Sequence, residues 1–240
     1  MGNSIDIQGY LDTVNTPWGK LFYQLVWHHI ECQGKTILDF GSGFGITANH
    51  FAKNNTVIAI EPNEEMIKYR SRDHDYRQII GGIKALNVFP DHTFDMVICH
   101  NVLEYLENRS ELLRVFFRVL KPEGCLSIVK HNRAGKIMQK VVFENNTEEA
   151  LQLLRKESAH SVNFGTINEY GIDMLKTYCE GLFHVEKLYG VRTFYGLQRN
   201  EWKQTDEWLT NMYSLECVTE EIPAFRDIAF FQHVILKVIK

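Results

Sequence analysis

The sequence has 240 residues and a mass of 28.0 kDa, which suits one large domain or one domain with a modest addition. Hydrophobic residues make up 45% of the chain and charged residues 23%, which excludes a mostly disordered, collagen-like or coiled-coil protein. The formal charge of −4, from 26 basic and 30 acidic side chains, argues against bulk electrostatic binding of nucleic acid but permits a local basic patch.

The cysteines and the start of the chain bear on redox environment and targeting. The five cysteines are widely separated and form no Cys-x-x-Cys pair, so neither a disulfide framework nor a metal site is predicted. Residues 1–10 contain no basic segment followed by an apolar one, and no apolar stretch is long enough for a bilayer. We therefore expect a soluble, cytoplasmic protein with no membrane partner.

Up to about residue 130, strand and helix patterns alternate along the chain. A helix is predicted from about 17 to 32, and further helices are expected at 46–53, after a cap at Asn63, and after a cap at Ser110. Short apolar runs at 36–40, 57–60, 77–80, 95–100 and 125–130 read as strands. This alternation predicts an α/β fold with a doubly wound, mostly parallel sheet.

The pattern changes beyond residue 131. A capping-box spacing at 166–169 predicts a helix that ends at Gly181, and strands are expected at 183–191 and 228–239, separated by a helix at about 204–216. No internal repeat or low-complexity linker is present. We therefore predict a single domain, 1–240, with a core at 35–130. Residues 1–33, 133–170 and 192–227 are expected to form a largely helical substrate cap, partly inserted.

A glycine-rich turn lies between the first predicted strand and its helix. Gly41, Gly43 and Gly45 let the backbone turn sharply and let a ligand approach closely. Glu61 follows about 20 positions after the first glycine, at the end of the second strand, where a carboxylate can accept both hydroxyls of a ribose. Asp39, just before the loop, disfavours a phosphate but suits an ammonium group. Adenosine joined to an amino acid is S-adenosylmethionine.

Four motifs in order resemble those of the class I S-adenosylmethionine-dependent methyltransferases. They are ILDFGSGFG at 37–45, IEPNEEM at 60–66, FDMVICHNVLEY at 94–105 and VLKPEG at 119–124. The resemblance implies a seven-stranded sheet whose last strand is antiparallel. It also implies that S-adenosylmethionine is bound by Asp39, Gly41, Gly43, Gly45, Glu61, Pro62, Met66, Gly82, Ile83 and His100. The Asp that the family carries after the third strand is replaced here by Gly82-Ile83, so backbone N–H groups are expected to contact the adenine.

The acceptor is expected near the carboxyl ends of the fourth and fifth strands. His100 and His131 stand at these ends and are the candidate catalytic bases, needed where the nucleophile must lose a proton. Arg133 and Arg192 are candidate substrate-binding residues. The lysines at 121, 130, 136 and 140 form a basic run with Arg133, which predicts an anion site or a solvated surface. Cys99 is expected to be a buried core thiol.

Three functions remain open at this stage. The first is methyl transfer to an oxygen nucleophile of a small molecule. The second follows from a further resemblance: SIVKHNRAGKIM at 127–138 and GVRTF at 190–194 are similar to segments of the bacterial tRNA methyltransferases that esterify carboxymethoxyuridine at the wobble position, although Phe22 or a neighbour stands where those enzymes carry an arginine. The third is cofactor binding without catalysis. A nucleotide-dependent oxidoreductase is disfavoured by Asp39 and the early third glycine. The sequence gives no indication of oligomeric state.

Overall fold

The computed structural model describes residues 6–155, 159–161, 165–167 and 170–239, and side chains outside 156–169. Within it the chain divides into two compact units, which we call the nucleotide unit and the variable unit. The nucleotide unit consists of Glu31–Ile128, Ile172–Lys187 and Val234–Lys240. The variable unit consists of Met1–Ile30, Val129–Gly171 and Leu188–His233. The division into a core and a cap that the sequence predicts stays a prediction.

Seven strands form one sheet in the order β3-β2-β1-β4-β5-β9-β8, and a separate hairpin pairs β6 with β7. The strands are β1 (Thr36–Phe40), β2 (Thr56–Glu61), β3 (Arg77–Ile80), β4 (Phe94–His100), β5 (Leu120–His131), β6 (Ala159–Ser161), β7 (Gly165–Ile167), β8 (Phe183–Val191) and β9 (Phe231–Val238). Pairings β1–β2, β1–β4 and β2–β3 are parallel. This arrangement confirms the predicted fold class.

The last strand runs antiparallel to its neighbours, as the family resemblance implied. At the end of β9, the Ile239 N–H donates to the Leu182 carbonyl, just before β8 begins, at 2.9 Å. At its start, the Phe230 carbonyl accepts from the Asn132 N–H, just after β5 ends, at 2.9 Å. In both contacts the end of one strand meets the start of the other, which is the pattern of antiparallel pairing.

Ten helices are present in the described part of the chain. They are α1 (Ile7–Asn15), α2 (Pro17–His28), α3 (Ile46–Ala52), α4 (Glu64–Lys68), α5 (Arg109–Val119), α6 (Arg133–Met138), α7 (Thr147–Leu154), α8 (Ile172–Tyr178), α9 (Asp206–Thr219) and α10 (Pro223–Arg226). Short 3₁₀ turns and one π-helical turn, Gln139–Phe143, connect some of them. Among the residues described, no helix combines the length and apolar character that crossing a bilayer requires.

Several predicted boundaries are wrong in informative ways. The cap of α5 is Asn108, whose side-chain oxygen accepts the Glu111 N–H at 3.2 Å, whereas the predicted cap Ser110 lies inside the helix. α1 was not predicted, and its own cap is Asp6, which accepts the Gly9 N–H at 2.9 Å. Residues 165–167 are strand where the capping box predicted a helix start, and 168–169 lie outside the described residues.

The parallel strands owe their apolar character to burial. In the nucleotide unit Ile37 and Leu38 of β1 have no exposed surface, and the Phe40 ring packs edge-on against Phe116 of α5 with centroids 5.3 Å apart. The variable unit has its own apolar cluster, which includes Leu21 and Leu25 of α2 and Met212 of α9. The register within the sheet pairs Asp39 with Ala59, so the ends of β1 and β2 that carry Asp39 and Glu61 lie at the same edge.

Candidate functional site

The glycine loop after β1 has a backbone that requires glycine. Gly41, Gly43 and Gly45 have φ values of +78°, +54° and +64°, in the left-handed region that side chains disfavour. The Ile60 carbonyl at the end of β2 accepts the Gly41 N–H at 2.8 Å and the Ser42 N–H at 3.1 Å. These bonds fix the loop over the ends of β1 and β2.

Glu61 is the acid that fastens this loop to β2. Its side chain is 7% exposed; Oε2 accepts the Gly43 N–H and Oε1 accepts the Asn63 N–H, both at 2.8 Å. Burial raises the pKa of this carboxyl, and the two N–H donors oppose the rise. Each carboxylate oxygen keeps a further lone pair, so Glu61 can accept hydroxyl donors of a ligand while it holds the loop.

Asp39 is a second buried carboxyl beneath the loop. It is 4% exposed, and its Oδ2 has no hydrogen-bond partner among the described residues. Burial, and next the negative charge of Glu61, raise its pKa to about 7. Two buried acids that repel each other, one with an unused oxygen, form a site that a cationic ligand would stabilise.

The residues expected to contact the adenine lie around this acid pair. The Met66 methyl group is 3.0 Å from where a Cβ on Gly43 would stand, and Met66 is buried while Pro62 is exposed. After β3, the Gly81 N–H donates to the Glu61 carbonyl at 3.1 Å, which holds the turn containing Gly82 beside Glu61. Ile83 begins the short 3₁₀ helix that follows this turn.

His100 ends β4 at the same edge of the sheet as Asp39. Asp39 pairs in register with Ile98, two residues before His100. The His100 Nε2 is 2.8 Å from the hydroxyl oxygen of Ser127, which is fully buried in β5. Sequence reasoning missed Ser127, although a serine within the apolar run 126–129 of the neighbouring strand was a usable signal. The hydroxyl fixes the orientation of the imidazole ring.

The cysteine of β4 offers no nucleophile. Cys99 is completely buried, and burial together with the charges of Glu104 and Asp39 raises its pKa well above the usual value. A thiol with a raised pKa in an apolar strand is unreactive. The expectation of a core thiol is therefore in line with its surroundings.

The other candidate residues belong to the variable unit. The His131 ring lies 4.8 Å from the Phe231 ring and 5.8 Å from the Phe230 ring, centroid to centroid. Arg133 is the first residue of α6. Arg192 follows β8 with φ +64°, and its guanidinium carbon is 4.6 Å from the centroid of Phe230. The structure thus groups the predicted cofactor residues and His100 in one unit, and His131, Arg133 and Arg192 in the other.

The basic run at 121–140 is not an open cationic surface. Lys140 pairs with Glu144 at 2.7 Å and Glu149 at 3.0 Å, and Lys121 pairs with Asp95 at 2.9 Å. Lys130 is 1% exposed and donates to the His131 carbonyl at 2.8 Å. The sequence analysis considered the basic run by itself, whereas the acids that pair with Lys140 lie beyond its end, Glu144 four residues on and Glu149 in α7.

Comparison with known proteins identifies the class of this site. Residues 38–128 match the family described as "Methyltransferase domain". The chain is 28% identical over 118 residues to the ubiquinone/menaquinone biosynthesis C-methyltransferase UbiE of Citrobacter koseri, and 27% identical to that of Escherichia coli. These matches cover 43% of this chain and 47% of each relative, so the chain matches about half the length of those relatives.

Solved structures share the fold at low identity. An S-adenosylmethionine-dependent methyltransferase from Mesorhizobium loti aligns with a TM-score of 0.60 and 15% identity, over 92% of this chain and 99% of that one. The [4+2]-cyclase SpnF aligns with a TM-score of 0.56 and 15% identity, over 91% and 80% of the two chains. One fold therefore carries proteins with different names, and function must be argued from the site.

Residues 38–128 thus match a methyltransferase domain, in a fold that the chain shares with S-adenosylmethionine-dependent methyltransferases. S-adenosylmethionine is the cofactor that this match leads us to expect. The residues present fit that cofactor: Asp39 has a buried oxygen without a partner among the described residues, and left-handed glycines leave out the Cβ atoms that would narrow the approach to the loop.

Proposed function

We propose that this protein transfers a methyl group from S-adenosylmethionine to an oxygen nucleophile of a small molecule. The observation that carries the proposal is the buried acid pair, Asp39 and Glu61, beneath a glycine loop that belongs to a methyltransferase domain. When bound, S-adenosylmethionine supplies an electrophilic methyl group on a sulfonium ion.

We assign each part of the cofactor to particular residues of this chain. Glu61 accepts the ribose hydroxyls, and Asp39 offers its unused oxygen to the ammonium group, with Gly41, Gly43 and Gly45 allowing the close approach. Pro62 and Met66 pack near the adenine, and the backbone N–H groups of Gly82 and Ile83 donate to it in place of the missing Asp.

His100 is the proposed base for an acceptor that must lose a proton. Its Nε2 contact with Ser127 orients the ring, and His131 is a second candidate from the variable unit. Direct displacement depends mainly on alignment of the reacting atoms, so a base is needed only for a protonated nucleophile. His100→Ala should then lower kcat by about 10²–10⁴-fold for a hydroxyl acceptor and leave it little changed for a carboxylate acceptor.

Two features bear on the reaction and on the choice of a small molecule. The thiols of Cys99, Cys125 and Cys179 are buried, with raised pKa values, so none of these three is suited to carry the methyl group from cofactor to acceptor. The basic run is paired or buried at Lys121, Lys130 and Lys140, which removes much of the cationic surface that a tRNA phosphate backbone would need. Arg133 and Arg192 are the proposed acceptor-binding residues.

Methyl-labelled cofactor incubated with a fractionated cell extract tests the acceptor class. We expect label in the small-molecule fraction, released by mild base if the product is an ester. The Glu61→Ala protein, which should bind the cofactor more weakly, serves as the matched control at a limiting cofactor concentration. Label confined to tRNA would favour the wobble-uridine carboxyl methyltransferase instead, and tight cofactor binding without label in any fraction would favour a non-catalytic binding protein.

A further inference from the structure

Two cations with little exposed surface contact rings of one apolar cluster in the variable unit, because Trp18 and Phe230 both pack against the cluster that contains Tyr195. Lys203 is 2% exposed, and its Nζ lies 5.5 Å from the Trp18 ring centroid and 5.6 Å from that of Phe143. The Arg192 guanidinium carbon lies 4.6 Å from the Phe230 centroid and 5.7 Å from that of Tyr195. Burial, and next the positive charge of Arg192, lower the pKa of Lys203 to about 8. Burial likewise lowers the pKa of Arg192.

The buried acid that acts on Arg192 already accepts hydrogen bonds from the backbone. Glu216 of α9 is 1% exposed; its Oε2 accepts the Thr193 N–H and its Oε1 accepts the Phe194 N–H, both at 2.9 Å. The nearby backbone N–H groups of Arg192 and Tyr195 also act to lower the pKa of Glu216, which burial raises. Glu201, the acid that acts on Lys203, is exposed. Neither acid therefore forms an ion pair with these two cations among the described contacts.

Some hydrogen-bond donors of this group have no acceptor among the described residues. The Arg192 Nε and the Tyr195 hydroxyl are buried and have no hydrogen-bond partner among the described residues. Lys203 donates one of its three protons to the Asn200 side-chain oxygen at 3.0 Å. Buried donors without acceptors and adjacent like charges are both unfavourable, and a bound anion would relieve both.

We propose that Arg192, Lys203 and Tyr195 form a binding site for the carboxylate of the methyl acceptor. Arg192 offers a planar fork of N–H donors, Lys203 an ammonium and Tyr195 a hydroxyl, which together match an oxyanion. The local charge, two cations against Glu216, is balanced by a monoanion rather than by a phosphate dianion. The surrounding rings, Trp18, Phe143 and Phe230, favour a carboxylate attached to a planar apolar group. That the bound carboxylate belongs to the methyl acceptor rests on the proposed function, whereas the anion site itself does not.

Binding of benzoate to the full chain without cofactor tests the site. Calorimetric titration at pH 7 should detect benzoate, with benzamide, its neutral counterpart, and inorganic phosphate each at least about tenfold weaker. Arg192→Met and Lys203→Met should each weaken benzoate by at least about tenfold, whereas Arg199→Met, an exposed arginine in the same segment, should not. Equal binding of benzoate and benzamide, or equal effects of all three variants, would overturn the proposal. Tighter binding of phosphate would assign the site to phosphate esters instead.

A second measurement needs no ligand. Because Lys203 is held beside Arg192, Lys203→Met should raise the thermal unfolding midpoint of the ligand-free protein. A lower midpoint would show that Lys203 serves the fold through Asn200 and the aromatic rings, and it would overturn the proposal.

Benzoate affinity should also fall as the pH rises through about 8, because the Lys203 ammonium loses its proton. The Lys203→Arg variant should retain binding above that pH. Failure of cofactor binding would defeat the methyltransferase proposal without changing either result.

Discussion

Individual side chains in this protein do two tasks at once, and Glu61 shows it most directly. Its two oxygens hold Gly43 and Asn63 in place, and the same carboxylate is the proposed partner of the ribose. A ligand hydroxyl thus meets an acceptor whose position is already fixed. This reduces the ordering cost of binding.

Replacing Glu61 by Ala should weaken S-adenosylmethionine binding by about 1–3 kcal/mol, because charge-assisted hydrogen bonds are lost and the loop is released. Calorimetric titration of both proteins measures the difference, with circular dichroism to verify folding. Glu64→Ala, an exposed acid at the start of α4, is the control that should keep wild-type affinity. An unchanged affinity for Glu61→Ala would remove its proposed role.

If Asp39 binds the ammonium group as proposed, cofactor binding should depend on pH. Its pKa is raised to about 7, so below that pH the folded protein holds a neutral acid, and above it an anion that attracts a cationic ligand. We expect the affinity for S-adenosylmethionine to rise from about pH 6 to about pH 8, by at most about tenfold per pH unit, with proton release on binding.

The variant Asp39→Asn should lose this rise near pH 7, leaving only the weaker dependence that comes from Glu61, whose pKa is also raised. Asp91→Asn, an exposed carboxylate paired with Arg118, should retain the full profile. Titration in two buffers of different ionisation enthalpy measures the released proton. A flat wild-type profile would contradict the assignment.

At the scale of elements, the start of α5 depends on a residue outside the helix. The side-chain oxygen of Asn108 accepts the Glu111 N–H, so Asn108→Ala should lower the free energy of unfolding by about 0.5–2 kcal/mol. Ser110→Ala should change it by no more than about 0.5 kcal/mol, because Ser110 lies within the helix. Urea denaturation of the two variants compares them. A larger effect at Ser110 would restore the cap that the sequence predicted.

Two glycines with the same backbone conformation allow the cost of a steric collision to be separated from the cost of a left-handed backbone. Gly45 and Gly34 share a φ of +64°, but a Cβ on Gly45 would collide with the Tyr76 hydroxyl, whereas one on Gly34 would meet nothing within 4 Å. Gly34→Ala should therefore cost about 1–2 kcal/mol, the backbone term alone. Gly45→Ala should cost about 1–3 kcal/mol more.

Adding Tyr76→Phe to Gly45→Ala removes the colliding oxygen and should recover part of that extra cost, although it also removes the bond from the Tyr76 hydroxyl to the Ser71 carbonyl. Urea denaturation of the single and double variants forms the cycle. Equal costs for Gly34→Ala and Gly45→Ala would mean that the loop accommodates the added methyl group.

At the scale of the whole molecule, ligand specificity can be measured through stability. A cofactor that binds only the folded chain should raise the thermal unfolding midpoint, with a stabilisation of about 2.7 kcal/mol at about 100 times its Kd. We expect this rise with S-adenosylmethionine and none with NADH. A rise with NADH alone would favour the oxidoreductase class that Asp39 and the early third glycine disfavour.

The sequence by itself determined the seven strands of the main sheet, the glycine loop and the acids near the ends of β1 and β2, but not the β6–β7 hairpin. β1, β3 and β8 were predicted at the bounds they have. At β1 the reason is that a buried parallel strand is a short apolar run, and the loop after it needs glycine at fixed spacing. Such features are readable because they depend on residues adjacent in the chain. Helix starts were less readable: at α5 two polar residues near the start compete for the cap, and hydrogen-bond geometry decides between them.

Only the tertiary structure decided which charges stay without an ion-pair partner. It placed Ser127 against His100, paired Lys140 with two acids, and buried Lys203 near Arg192 while Glu216 bound the backbone. Apart from the two acids of Lys140, these contacts join residues 11 to 27 positions apart in the chain, so no local pattern encodes them. The charge of −4 could not indicate that Lys203 is buried and Arg192 partly buried, because desolvation is a property of packing and not of composition.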